Sequence, residues 1–177
     1  MKKIMFNDKY GLTQAVLNGR KTMTRRFVPD GTPLGSWKET VKRAHYQIGE
    51  EIAIAQRYKD FLLFNHAVYE KGKQITAGMT KGWTNKMFVS AEYMPHRIRI
   101  TDIKIERLQD ISEEDCLREG IVRTNSVAPY GFPAGNGKWK NYRTPQDAFA
   151  CLIDKLSGKG TWESNPFVFV YEFELEK

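Results

Sequence analysis

The chain has 177 residues, 41% apolar and 28% charged, a globular composition that excludes a disordered or low-complexity chain. No run approaches the roughly 18 consecutive apolar residues that a membrane-spanning helix needs, so no membrane role is expected. Lys and Arg number 28 against 21 Asp and Glu, a net charge of +7 that biases the protein toward polyanions such as RNA.

In chain order, Met1-Lys2-Lys3 imitates the charged start of a signal peptide, but Asn7, Asp8 and Lys9 break the apolar region that should follow. A first helix is predicted from about Asp8 to Asn18, stopped by Gly19. Extended runs follow at Lys21–Val28 and Glu51–Ala55. Across Arg97–Glu106 the apolar phase slips, with Ile98 and Ile100 on one face and Ile103 and Ile105 one residue out of step. A β-bulge near Thr101-Asp102 explains the slip, and two separate strands is the plainer alternative. Ser112 opens a short helix that Gly120 ends, and Thr144 with Pro145 opens a longer one closed by Gly158. The final strand, Phe167 to Leu175, carries aromatics on one face, and Val168 and Val170 suggest a first half buried on both sides.

Few, short helices and scattered strands predict an α+β fold with a curled sheet or small barrel and a few flanking helices. The absence of linkers and repeats predicts a single domain over 1–177, with long loops near 59–96 and 121–143. Cys116 and Cys151 match no metal or redox spacing, and His45, His66 and His96 do not converge by spacing, so no metal and no cofactor is implied. A reducing cytoplasm fits best, and a monomer is favoured. Phosphate-cradling and serine-esterase motifs are missing.

The densest chemistry is Gly19-Arg20-Lys21-Thr22-Met23-Thr24-Arg25-Arg26, four of whose eight residues are basic. It reads either as an anion-binding or catalytic turn, or as an exposed basic edge strand that resists aggregation. Lys138-Trp139-Lys140-Asn141-Tyr142-Arg143 interleaves aromatics with charge, so Trp139, Lys140 and Tyr142 could stack a base and clamp its phosphate, or Trp139 could anchor the loop.

The turn resembles the opening signature of the ASCH domain family, whose fold is PUA-like. Ile48-Gly49-Glu50, Glu106 to Asp115 with Glu119-Gly120, Gly158 to Trp162 and Asn165 to Val170 resemble later segments of its larger, prophage-associated members, in the same order. The resemblance implies a PUA-like barrel that binds RNA or a modified nucleoside. One branch of the family is similar to amidohydrolases that deacetylate N4-acetylcytidine, and another resembles ribonucleases. On the amidohydrolase pattern Lys21 is the base, Thr24 the nucleophile and Glu119 the acid. Arg20, Thr22, Arg25 and Arg26 then become ligand-binding residues around them. The alternative is a non-catalytic RNA-binding module using the same turn. Where many large members carry Trp-x-Arg-Glu, this chain has Ala53-Ile54-Ala55-Gln56, without the arginine and the carboxylate.

Overall fold

The computed structural model describes residues 1–62, 69–70, 72–75 and 80–176. His66 and part of the predicted 59–96 loop lie outside these residues.

The chain opens with β1 (Lys2–Ile4), α1 (Leu12–Leu17), β2 (Met23–Phe27), α2 (Trp37–Lys42), β3 (Glu51–Ile54) and α3 (Tyr58–Phe61). After the short strands β4 (Tyr69–Glu70) and β5 (Lys73–Gln74) come β6 (Arg97–Arg107) and α4 (Glu113–Arg118). The last third holds β7 (Val122–Arg123), β8 (Tyr130–Gly135), β9 (Lys138–Tyr142), α5 (Pro145–Ser157), α6 (Thr161–Ser164) and β10 (Phe167–Glu176). No described helix is long and apolar enough to cross a membrane.

The main sheet runs β1-β3-β6-β10-β2, parallel between β1 and β3 and antiparallel elsewhere. It curls until its two edges approach, and the Arg26 guanidinium on β2 donates to the Met5 carbonyl beside β1 at 2.9 Å. The α+β expectation with a curled sheet holds. The phase slip in β6 is a bulge. Glu172 pairs with Asp102 and Phe173 with Ile100, leaving Thr101 unmatched, which lets Ile98, Ile100 and Ile103 all reach the core. Val168 to Tyr171 are buried on both faces, where α5 packs Phe149 and Leu152 into the same core.

Local chemistry explains the helix ends. Ser112 Oγ accepts from the Asp115 amide and Thr144 Oγ1 from the Asp147 amide, both at 3.1 Å, each satisfying an N–H that the helix cannot. α1 starts later than its periodicity suggests because Gly11, at φ 68°, turns the chain just before it. Residues 121–143, expected as a loop, form a three-stranded antiparallel sheet, β7-β8-β9. Its hairpin turns through Asn136 and Gly137, both at positive φ, the geometry that Asn-Gly supplies at low cost.

Candidate active site

The site is built by one turn docking on one helix end. Gly19, at φ 69°, stops α1, and the Lys21 amide bonds back to the Ala15 carbonyl. The Thr22 amide then donates to the Arg118 carbonyl at 3.0 Å, fastening the turn to the end of α4. Gly120, at φ 111°, lets these segments close. A Cβ there would stand 3.0 Å from a Leu12 methyl and 3.7 Å from the Lys21 stem.

Lys21 is consequently interior, 2% exposed. Its ammonium donates to the Met23 carbonyl (2.7 Å), the Glu119 carbonyl (2.8 Å) and Glu119 Oε2 (2.6 Å), so all three protons are placed. Burial holds its pKa below the usual lysine value, and the adjacent Glu119 charge only partly offsets that effect. Glu119 Oε1 takes a second charged donor, Arg25 Nη1, at 3.0 Å. Arg25 also forks onto Glu106 Oε1, at 3.1 Å from Nε and 2.5 Å from Nη2, and stands 3.5 Å from Asp115. Its side chain is 1% exposed, with the guanidinium 5.9 Å over the Phe149 ring.

Thr24 lines the same cleft as Lys21 and Glu119, a space of about 580 Å³ within the usual range for small-molecule sites. Its hydroxyl makes no hydrogen bond among the described residues. Phe6, whose ring lies 5.7 Å from the Lys21 ammonium, and Leu152 and Ile153 of α5 give the cleft apolar walls. Asn7, Asp8 and Arg26 supply polar groups. Next to Arg25, burial pushes the Cys116 thiol up to about 12, so it is no nucleophile.

Of the other predicted binding residues, Arg25 and Arg26 line this cleft and the rest separate from it. Arg20 is exposed and does not line the cleft. Thr22 accepts a hydrogen bond from Arg118 Nε at 3.1 Å and faces away. Arg25 is the clearest correction. On a basic edge strand it would be exposed, but it is buried in the cleft wall as the counter-ion of three acids. Trp139, Lys140 and Tyr142 lie on β9, and none lines the cleft. Strand alternation puts Trp139 on the face opposite Lys138 and Lys140, so flanking lysines cannot clamp the phosphate of a base stacked on it. Tyr142 turns inward, stacked on Phe132. Gln56, in the segment that departs from the family pattern, faces a different groove.

Sequence reasoning missed Glu106 and Asp115 as partners and Phe6, Asn7 and Asp8 as walls. The only available signal was the run of acids from Glu106 to Glu119 matching a basic turn far upstream.

No family model matches the chain, and no curated protein matches it. Among solved structures it is similar to protein EF3133 from Enterococcus faecalis V583, described with the family model DUF984. That likeness has a TM-score of 0.46 and 14% identity, over 99% of this chain and 77% of the other.

Proposed function

We propose that the cleft is an amidohydrolase site that removes the acyl group from an N4-acylated cytidine, as the ASCH-like motifs suggest. The observation that carries this reading is the buried Lys21–Glu119 pair, 2.6 Å apart, in one cleft with the unbonded Thr24 hydroxyl. Moving the shared proton from Lys21 Nζ to Glu119 Oε2 creates an amine base and a carboxylic acid in one step. The amine takes the Thr24 proton as Oγ1 bonds the acyl carbon, and Glu119 returns its proton to the nitrogen as the C–N bond breaks. Water then hydrolyses the acyl-threonine, with Lys21 relaying the proton. Burial favours the neutral amine that this route needs.

The test is turnover of N4-acetylcytidine. Thr24→Ser retains some activity, Thr24→Val loses it, Lys21→Arg fails because a guanidinium stays protonated, and Glu119→Gln slows departure of the amine. The parent rate should hold level while the pair keeps its shared proton and fall as pH rises through the lowered Lys21 value, because Glu119 then has no proton to return to the amine. Full activity in Thr24→Val overturns the nucleophile assignment.

A second reading, a non-catalytic RNA-binding module, draws on the outward-facing Arg20, Arg26, Lys138 and Lys140. It requires RNA binding that weakens as salt rises, together with an inactive parent protein.

A further inference from the structure

Leu12 of α1 faces the cleft, whereas Thr13, Gln14 and Leu17 face a separate groove of about 1090 Å³. Gln56, just beyond β3 and only 8% exposed, lines it. Its backbone amide is fixed to the Met94 sulfur at 3.2 Å, and its side-chain oxygen lies 2.7 Å from His96 Nδ1. An amide oxygen only accepts, so Nδ1 bears the proton, and in the tautomer this selects Nε2 is the acceptor. The Gln56 amide nitrogen and His96 Nε2 have no hydrogen-bond partner among the described residues.

The groove therefore holds an unused donor and an unused acceptor on two side chains locked to each other. Trp83 and Phe61 bring aromatic surface, and the Arg57–Asp60 ion pair, at 2.8 Å, adds a charged rim. The Gln56 side chain is largely enclosed, and its amide nitrogen opens onto space large enough for a ring. What satisfies both atoms is one planar molecule with a donor beside an acceptor on its edge, its flat face against an indole or phenyl ring.

We propose that this groove is a second ligand site, distinct from the Lys21–Glu119 cleft, for a planar ring with an amide-type edge. A nucleobase and an aromatic carboxamide share that chemistry. The site does not depend on the amide-hydrolysis reading.

The experiment is calorimetric titration of the intact protein with cytidine, uridine and nicotinamide, with 3-methyluridine as the edge-blocked control. At least one of the three binds at millimolar concentration or better, and the nucleoside arms against the nicotinamide arm decide which source of the edge is preferred. Gln56→Glu keeps the acceptor for His96 but replaces the donor with an oxygen, and it weakens binding about tenfold or more. His96→Phe removes the other polar atom and gives the same loss, which keeps the test decisive if the glutamate variant does not fold. The proposal is overturned if none of the three binds, if folded Gln56→Glu and His96→Phe both bind like the parent, or if 3-methyluridine binds as tightly as uridine.

Discussion

Gly19–Arg26 and Lys138–Arg143 look alike as strings, each dense in Lys and Arg and each running into or along a strand. In the first, Lys21 and Arg25 are interior, with all three oxygens of Glu119 accepting from them. In the second, Lys138, Trp139 and Lys140 are all exposed on β9. The difference lies in the acids rather than in the basic segments. Glu106, Asp115 and Glu119 come from β6 and the two ends of α4, and no matching set faces β9 among the described residues. A buried charge persists only where opposite charge and hydrogen bonds replace the water it lost, so the same composition gives a cluster in one place and a solvated strand in the other.

The comparison breaks most directly at Arg25. Arg25→Ala should cost about 3–5 kcal/mol in urea unfolding, because it strips a charged partner from the buried Glu119 and the counter-ion from the half-buried Glu106. A loss below about 1 kcal/mol would erase the distinction between the two segments. Next comes Thr144→Ala, which tests the helix that walls the cleft; removing its cap should cost about 1 kcal/mol in the same assay. Replacing Lys138 and Lys140 together by Ala should stay within about 0.5 kcal/mol of the parent. If these two lysines meet RNA phosphates, the same double change should lower the slope of log affinity against log salt by about 1.4, at roughly 0.7 per single-strand contact. An unchanged slope removes β9 from any RNA interface.

The pH response sharpens the contrast more gently. Burial pushes the Asp8 carboxyl up, yet hydrogen bonds from Lys86 and Thr13 outweigh it and hold the group below the usual aspartate value. Below that value the unfolded chain takes up the proton first. Asp8 therefore stabilises the fold at neutral pH and loses that contribution as pH falls through its lowered folded value. Asp8→Asn should flatten this part of the acid unfolding curve, and a curve of unchanged shape would count against the pairing.

Much of the frame was legible because local rules decide it. The caps at Ser112 and Thr144, the stop at Gly19, the bulge beside Asp102 and the doubly buried start of β10 all follow from residues near one another in sequence. The β8–β9 hairpin went unread within the expected 121–143 loop, because Pro133 and the surrounding glycines mask the strand pattern beside its Asn136-Gly137 turn. β1 is only three residues long and begins with two lysines, too little for a period to show. Lys21, Thr24 and Glu119 were singled out through resemblance, since no spacing rule brings together residues 98 positions apart. The burial of Arg25 and the free amide of Gln56 depend on tertiary neighbours, which local pattern does not encode.

The order of the main sheet has a consequence for how the protein comes into being. β2 finds its ladder only on β10, the last strand, which inserts between it and β6. While the chain is still emerging from the ribosome, the turn bearing Lys21 and Thr24 has no strand beside it. Lys21 also has no carboxylate partner until Glu119 has been made. The cleft is thus assembled after synthesis has passed β10, through contacts of long sequence separation that close slowly. A nascent chain stalled between residues 119 and 167 carries all three cleft residues, Lys21, Thr24 and Glu119, without the strand that holds their turn in place.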